Sequence, residues 1–415
     1  MTLMVGVATG DVSPPVGTPL GGYPVEGRVS SGVHDRLQVV GVSVRDDIAG
    51  DHLVVLCFDG ISVPSGLVTG VDDGVHVVVV ASHTHAAPSL EAWDQGVMGA
   101  YSAGYQSDLV STCRRVVTEA IGAERRGYLA AGSGRLAEPV GTNRRDGDGR
   151  RDETIRVIEA RADDDSVLAV LALHGCHPTV LSADNTLVSG DLVWGLRERV
   201  AGSLPGVPVA YLPGGAGDQS TRHTRRGSTF EEAARLGGIL GDAVLDARAM
   251  MVGLERSRVL QATFSLEPRP TPPLDVAERR WEQWVAEVDR RACDGSDASW
   301  LRQAEVELIG ANHDLRRARV SLSLPTAIEV SVTRWHLGDR SIAFWPVEPT
   351  IDLALDLETA DRTWLCGYAS GYLGYLLEEQ DCARGGYEVA ASPFECSAAS
   401  RFVEATRSLA RQTDS

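Results

Sequence analysis

The chain has 415 residues, of which 43% are hydrophobic, enough for one large α/β domain with elaborations or for two domains. Its net charge of −18 and pI near 5.0 disfavour nucleic acid and anionic membranes as partners, because both require basic surfaces. No stretch approaches the roughly 18 apolar residues of a membrane span, and the N-terminus lacks the basic head and long apolar stretch of a signal peptide.

Cysteine usage gives no sign of a disulfide framework, since the seven cysteines are odd in number and widely spaced. No Cys-x-x-Cys pair occurs, so a cysteine-based zinc site is not expected. Together with the N-terminal sequence, this predicts a cytoplasmic protein without a membrane span. The sequence leaves the oligomeric state open.

The first 90 residues alternate short apolar stretches with Gly and Pro turns, which predicts strands at Leu37–Arg45, Leu53–Phe58 and Val77–Ser82. The third of these begins with four valines, typical of a buried strand, and His83-Thr84-His85 follows it. In an extended backbone residues i and i+2 point to the same face, so both imidazoles could meet one metal ion. Two capping or surface histidines are the alternative interpretation.

The middle of the chain repeats this pattern. A helix is predicted from Ser107 to Ile121, and a polar loop follows from Asn143 to Asp152. Val167–Leu173 is a predicted strand that ends at His174-Gly-Cys-His177-Pro178, where the proline favours an extended or turning backbone. His177 therefore follows a strand, although by itself it could equally be a hydrogen-bonded structural histidine. Gly190-Asp191 opens a further predicted helix.

A third strand leads into a glycine-rich loop. Val207–Leu212 runs into Pro213–Ser220, and a helix follows at about Thr229–Met250. Glycines let a backbone approach a ligand closely. Loops at the carboxyl ends of strands are where α/β proteins bind ligands, and three such loops here are rich in His, Ser and Asp.

The last third begins at a proline-rich boundary, residues 268–273. Two amphipathic helices at 276–291 and 298–318 indicate a helical insertion over about 268–325. A hairpin joined at Gly338-Asp339 and a closing helix over 397–412 complete the chain. We predict a single α/β domain over 1–415, with a mixed multi-stranded sheet core and flanking helices.

The residues that follow these strands suggest a metal site. A catalytic zinc usually takes three protein ligands from His, Asp and Glu and keeps one position for water. The candidates come from separate loops, and they are His83, His177 and Glu348. Glu348 alone is weak evidence, because most glutamates after a strand are simply solvated.

Six motifs, taken in order, resemble the neutral/alkaline (non-lysosomal) ceramidase family in its amidase catalytic domain. They are SHTHAAP at 82–88, NRR at 143–145, HGCHPT at 174–179, GAGDQS at 215–220, WPVE at 345–348, and GYLGY with GGYE at 371–375 and 385–388. The resemblance runs from about Val5 to Val403. The family has an active-site serine in a Gly-Asp-Val-Ser-Pro-type loop, which residues 217–220 match. The segment Gly10–Pro14 fits these letters better, but it precedes all the other motifs, and we interpret it as a turn.

The resemblance implies a zinc-dependent amidase of lipid metabolism, in which a metal-activated water cleaves a ceramide-like N-acyl amide or another small-molecule amide. Zinc lowers the pKa of its bound water toward about 7, and ionised Tyr375 would be held by the charge of the metal. The implied zinc ligands are His83, His177, Glu348 and Tyr375, and the implied catalytic residues are His85, Arg144, Ser220 and Tyr387.

Some of these assignments keep alternatives. Tyr375 and Tyr387 have the twelve-residue separation of the family's two active-site tyrosines, whereas Arg145 stands next to Arg144 and could take its place. Ser220 could contact substrate, or act as a nucleophile if His223 lies close enough to serve as its base. Asp218 could fix a histidine tautomer or form a turn within the glycine loop.

Three other interpretations remain. An amidohydrolase barrel also uses His-x-His after an early strand, but a Gly/Tyr-rich C-terminal third does not fit eight strand–helix units. A zinc-dependent tailoring enzyme of small-molecule biosynthesis could act on an amide, lactam or ester. A non-catalytic scaffold could retain the fold without stoichiometric zinc. The chain also ends before the family's C-terminal immunoglobulin-like domain and has valine, not glycine, before Glu348.

Overall fold

The structure is a computed structural model that describes residues 3–411, apart from positions 24, 26, 65, 68–73, 91–100, 255, 295–297 and 321–325. Within helix 298–319 the side chains of 298–303 and 306 are also outside the description.

The strands of the described residues are β1 (Leu3–Asp11), β2 (Gly32–Val33), β3 (Gln38–Asp46), β4 (His52–Phe58), β5 (Val75–Ala81), β6 (Arg125–Arg135), β7 (Thr142–Asn143), β8 (Thr154–Ala162), β9 (Val167–His174), β10 (Leu187–Val188), β11 (Val209–Pro213), β12 (Gln219–Ser220), β13 (Val252–Leu254), β14 (Arg258–Leu266), β15 (Ile328–Leu337), β16 (Arg340–Phe344), β17 (Glu348–Pro349), β18 (Thr363–Cys366) and β19 (Tyr375–Leu376).

The α-helices of the same residues are α1 (Ala103–Gly122), α2 (Leu192–Ala201), α3 (Phe230–Ala247), α4 (Leu274–Cys293), α5 (Ala298–Arg319), α6 (Ile351–Asp361), α7 (Glu379–Cys382), α8 (Tyr387–Ala391) and α9 (Ala398–Arg411).

A large mixed sheet forms the centre, with strand order β11-β9-β8-β6-β1-β3-β4-β5 and β13 paired to β6. Most neighbours are antiparallel, whereas β9 with β11 and β4 with β5 are parallel. Strand β4 shows why the sheet is buried on both sides. Its alternate residues Leu53 and Val55 face one apolar cluster, and Val54 and Leu56 face another.

A second sheet, in the order β14-β15-β16-β18, packs against the first. Residues of both sheets share one core, in which Val55 and Val80 of the large sheet meet Trp335 and Phe344 of the small one. Helices α1, α2 and α3 cover the outer face of the large sheet, and α6 and α9 pack on the outer face of the small sheet. The result is a four-layer arrangement of helices, sheet, sheet and helices.

The mixed α/β class, the buried strand after Gly74, the hairpin at Gly338 and the closing helix were all predicted correctly. The second sheet was not predicted as separate, because its strands have the same alternating pattern as the first. Cys382 and Cys396 form a disulfide, which the wide spacing of the cysteines did not indicate; the other five cysteines are free.

Helices α4 and α5 lie where the insertion was predicted, and 295–297 and 321–325 of that range lie outside the described residues. The division of the chain into one domain with this insertion stays a prediction. Among the described residues, no helix combines the length and the apolar character needed to cross a bilayer.

The topology brings several loops to one end of the two sheets. The parallel pairs β4 with β5, β9 with β11 and β16 with β18 all have their carboxyl ends there. The sheets are joined at this end by hydrogen bonds from Ala81 N to Tyr368 O and from Gly367 N to Pro213 O. Side chains that follow these strands therefore meet between the layers.

Candidate metal centre

His83 follows the end of β5 and is buried. Its backbone is in the left-handed region, with φ of 64°, so the chain turns sharply here. The Nδ1 atom lies 2.6 Å from the carbonyl oxygen of Ile61, and because a carbonyl only accepts, this nitrogen donates a proton. In a neutral ring the Nε2 atom then carries a lone pair, which can bind a metal ion or accept from Nε2 of His85 at 3.3 Å. Burial lowers the pKa of His83 to about 4, which favours that neutral ring.

His85 shares the cavity with His83, but not for the predicted reason. The prediction assumed an extended backbone, whereas β5 ends at Ala81 and the turn at His83 brings the rings together. The two Nε2 atoms are 3.3 Å apart, and the Nδ1 atom of His85 is buried without a hydrogen-bond partner. Burial and the nearby His83 lower the pKa of His85 well below its ordinary value. Gly22, with φ of 89°, makes room for the ring, because a Cβ there would lie 2.5 Å from Cγ of His85.

His177 approaches from the loop after β9. Its Nδ1 atom lies 2.6 Å from the carbonyl oxygen of Ala216 and 3.1 Å from that of Gln219, so it also donates. Its Nε2 atom is buried and has no hydrogen-bond partner. The glycine-rich loop thus orients this histidine through main-chain carbonyls. The loop lies close to another segment of the chain, since a Cβ on Gly217 would lie 2.8 Å from the carbonyl oxygen of Glu348.

Glu348 completes the cluster from the turn after β16 and is 1% exposed. Its Oε2 atom lies 3.2 Å from Nε2 of His177 and 3.6 Å from Nε2 of His83. The hydroxyl of Tyr368 donates to Oε2 at 3.0 Å, and that of Tyr372 donates to Oε1. Burial alone would raise the pKa of Glu348, but His83, His177 and Tyr372 outweigh it and hold the pKa below its usual range.

The donor set fits a metal ion. Ligand atoms about 2.0–2.1 Å from a tetrahedral zinc ion lie roughly 3.3–3.4 Å apart, close to the separations of 3.2, 3.3 and 3.6 Å found here. His83, His85 and His177 form a group that could hold a metal ion, with ligand atoms within 4.8 Å of one another. The carboxylate of Glu348 lies within 3.6 Å of both His83 and His177, which leaves His85 and Tyr375 as the candidates for a further ligand.

Tyr375 lies beside this cluster, because β19 pairs in parallel with β17 and sets Tyr375 opposite Glu348. Its hydroxyl accepts a hydrogen bond of 3.1 Å from Nη2 of Arg144. Burial, followed by the charge of Glu348, raises the pKa of Tyr375 well above its ordinary value, so the phenol is protonated unless a cation is bound. No described contact joins its hydroxyl directly to the histidines.

Arg144 is the arginine that faces the tyrosines. Its guanidinium carbon lies 5.7 Å from the ring centre of Tyr375 and 5.8 Å from that of Tyr387, and these rings are 5.5 Å apart, edge to face. Glu388 accepts from Nε of Arg144 at 2.7 Å. Arg145 points instead to the other oxygen of Glu388 and to main-chain carbonyls, which clamps the loop after α7.

Ser220 and Asp218 have structural contacts. Ser220 is 6% exposed, and its Oγ accepts from the backbone N of Arg222 at the start of a short 3-10 helix. His223 is exposed, and no described contact joins it to Ser220. The carboxylate of Asp218 accepts hydrogen bonds from the side-chain amide of Asn143 and from the backbone N of Ile351 at the start of α6. No described histidine touches its carboxylate, so the idea that it fixes a tautomer was wrong.

Sequence reasoning missed the three residues that orient the site from its C-terminal side. Tyr368 and Tyr372 both hold Glu348, and Glu388 holds both arginines of the Asn-Arg-Arg motif. The repeated Gly-Tyr pairs were a usable signal, since glycines permit the positive φ found at Gly371 and Gly374. Glu388 offered no signal beyond its position next to Tyr387.

Two solved structures are similar to this one. They are described as neutral ceramidase from Pseudomonas aeruginosa and as a ceramidase complexed with C2. Both have a TM-score of 0.76 and 14% sequence identity over 99% of this chain, and 75% and 76% of those chains are covered. The chain therefore has the neutral ceramidase fold, as the order of its motifs predicted. No protein-family model and no curated protein sequence matches it.

Proposed function

We propose that this protein is a zinc-dependent hydrolase that cleaves the amide bond of an N-acyl substrate. The observation that supports this most directly is the convergence of two imidazoles on one buried carboxylate: Nε2 of His83 and Nε2 of His177 lie 3.6 Å and 3.2 Å from Oε2 of Glu348. The similarity in fold to ceramidases supports the reaction class.

His83, His177 and Glu348 would hold the ion, with Tyr375 or His85 as a further ligand. The carbonyls of Ile61, Ala216 and Gln219 orient the imidazoles by accepting their Nδ1 protons, and Tyr368 and Tyr372 orient the carboxylate. Bound there, zinc would polarise the substrate carbonyl and lower the pKa of a coordinated water toward about 7.

Arg144 and Tyr387 are the proposed donors to the oxygen that becomes negative during amide cleavage. Both are held in advance: Arg144 by Glu388 at 2.7 Å and the carbonyl of Gly217 at 2.8 Å, and Tyr387 by its packing on Tyr375. Donors placed in advance in a buried site stabilise such a charge without reorganisation, and losing one typically costs about 3–4 kcal/mol of barrier.

His85 is proposed to act as a ligand or as a base, since burial keeps its ring neutral at pH 7. Ser220 is proposed to contact substrate rather than to act as a nucleophile. A nucleophilic serine needs an adjacent base, and its described hydrogen bond is to the backbone of Arg222.

The test is a hydrolysis screen of N-acyl amides of graded acyl length, run with and without a chelator, alongside the matching ester and lactam. Chelator-sensitive release of the free amine supports the proposal. Zinc binding without turnover of any amide would contradict it. Turnover that is insensitive to a chelator would exclude a catalytic role for the metal.

The cellular compartment of the protein limits which substrates it can meet. The cytoplasmic location predicted from the sequence stays a prediction, and the Cys382–Cys396 disulfide is instead typical of oxidising compartments. Thiol labelling of the protein in fractionated cells would decide between the two.

A further inference from the structure

Three arginines form a cationic cluster where the predicted helical insertion meets the active-site loop. They are Arg269, just after β14, and Arg316 and Arg317, consecutive in α5. Each has one guanidinium nitrogen that is buried without a hydrogen-bond partner: Nε of Arg269, Nη1 of Arg316 and Nη1 of Arg317. All three side chains are otherwise partly exposed, so solvent reaches the cluster.

The charges of this cluster are not balanced among the described contacts. Asp314 is the carboxylate within it, and its two oxygens are taken by Arg269 at 2.7 Å and by Arg280 at 2.8 Å. Arg317 donates to the carbonyl oxygen of Arg269, and Arg316 has no described ion pair. Buried hydrogen-bond donors without acceptors are destabilising. A chain with a net charge of −18 has many carboxylates that could have served as the acceptors.

The cluster adjoins the proposed catalytic residues. His313, one turn before Arg316 and Arg317, has its ring 6.4 Å from that of Tyr387. Arg269 donates to the carbonyls of Val389 and Ala390 in α8, the helix that begins at Tyr387. Helix α5 packs directly on α8, since a Cβ on Gly310 would lie 2.6 Å from Cβ of Ala390.

The pKa values of Arg317 and of the adjacent His313 are consistent with a concentration of positive charge here. Burial and, after it, the charges of Arg316, Arg269 and Arg317 together lower the pKa of His313 to about 4. Burial and the neighbouring Arg269 likewise lower the pKa of Arg317 to about 10. An anion would supply the missing acceptors, and guanidinium groups bind carboxylate and phosphate through charge-assisted, often paired hydrogen bonds.

We propose that Arg269, Arg316 and Arg317 form an anion subsite that receives a carboxylate or phosphate group of the substrate. This rests on the proposed function and narrows it: the preferred substrate is an N-acyl amine that carries an anionic group, rather than a neutral amide. The scissile amide would lie at the metal centre, on the far side of Tyr387 from the anion.

The first experiment measures anion binding without turnover. Inorganic phosphate and acetate are titrated calorimetrically into the wild-type protein, the double variant Arg316→Gln/Arg317→Gln, and the control Arg279→Gln. Arg279 is an exposed residue of α4 paired with Asp275. We expect phosphate or acetate to bind the wild type and the control alike and to bind the double variant at least tenfold more weakly. No binding to the wild type, or equal binding to the double variant, would overturn the subsite. If the double variant does not fold, Arg316→Lys replaces it, since lysine keeps the charge but loses the paired donors.

The second experiment measures kcat/KM for three N-acyl amines of equal acyl length, with a neutral, a carboxylate and a phosphate head. We expect at least a tenfold preference for one of the anionic heads. Which head is preferred shows whether the subsite takes a carboxylate or a phosphate. In the double variant the ratio of anionic to neutral kcat/KM should fall toward one. A preference for the neutral amide would refute the substrate class. If no amide is cleaved, the proposed function fails, and the calorimetric result still decides whether the anion subsite exists.

Discussion

The Nε2 atom of His177 lies 3.2 Å from the Oε2 atom of Glu348, yet it is not in hydrogen-bonding geometry and has no other partner. Because Nδ1 of the same ring already donates to the carbonyl of Ala216, a neutral ring presents a lone pair to a carboxylate. Two electron-rich atoms remain this close in a buried site when a positive charge lies between them. That relationship is the physical basis of the proposed metal centre.

Removing His177 should therefore remove the metal. We expect close to one zinc per chain in the wild type and less than about a tenth of that in His177→Ala, because a remaining pair of ligands binds zinc far more weakly. Elemental analysis of dialysed protein measures this. The matched control is His223→Ala, an exposed histidine without a described partner, which should keep its zinc. Equal zinc in both variants would contradict the ligand assignment.

The position of His85 can be tested through a glycine. Gly22 and Gly17 have nearly the same φ, 89° and 88°, but of these two only Gly22 has a neighbour that a Cβ would meet, 2.5 Å away in the His85 ring. Both changes to Ala should cost a similar conformational strain of about 1–2 kcal/mol. Gly22→Ala should in addition lower turnover at least tenfold, because it displaces His85. Equal turnover in Gly22→Ala and Gly17→Ala would show that His85 is not needed.

Tyr387→Phe tests the proposed donor. The hydroxyl is proposed to act on the transition state, so kcat should fall about 100-fold or more while KM changes little. Steady-state kinetics on the best amide from the screen measures both constants. Tyr101→Phe, a change at an exposed tyrosine outside the site, is the control. A raised KM with an unchanged kcat would assign the Tyr387 hydroxyl to ground-state binding instead.

The Cys382–Cys396 disulfide closes a loop that contains Tyr387 and Glu388. A loop of about 15 residues gains roughly 3 kcal/mol from such a bond, so Cys382→Ser/Cys396→Ser should lower the free energy of unfolding by about that amount. Turnover should fall as well, since the clamp on Arg144 loosens. Urea unfolding measures the first effect, and Cys293→Ser, at an exposed free cysteine, is the control. An unchanged free energy of unfolding in the double variant would refute the prediction.

The free energy of unfolding should depend on pH through Asp152. It is 3% exposed, and although burial would raise its pKa, Arg156 at 2.6 Å and His174 hold the pKa well below the ordinary value. A depressed pKa contributes stability that is present above the unfolded value of about 4 and is lost as the pH falls below it. Asp152→Asn should therefore cost about 3–5 kcal/mol at pH 7, a gap that narrows from about pH 4 downwards.

Denaturant unfolding of wild type and variant at several pH values measures this gap. Asp164→Asn, at an exposed loop carboxylate, should change stability little at any of them. A gap between wild type and Asp152→Asn that stays constant down to about pH 2 would mean that Asp152 acts through its shape and not through its charge.

The sequence by itself determined the elements whose pattern is local. Four consecutive valines made β5 a strand, the spacing of apolar residues defined α3 and α9, and Gly338-Asp339 defined a hairpin. The order of short motifs was enough to indicate the fold. It also selected every candidate ligand, because each stands directly after a strand or in a Gly-Tyr turn.

Only the tertiary structure decided what these residues do to one another. The left-handed turn at His83, and not an extended strand, joins its ring to that of His85. The packing of the second sheet on the first brings Glu348 to His177, a contact between residues far apart in the chain. Local patterns report which face of an element is buried, but not which face of another element covers it. That choice depends on long-range packing, which sets the contacts of Tyr368, Tyr372 and Glu388 and underlies the role proposed for the arginines of α5.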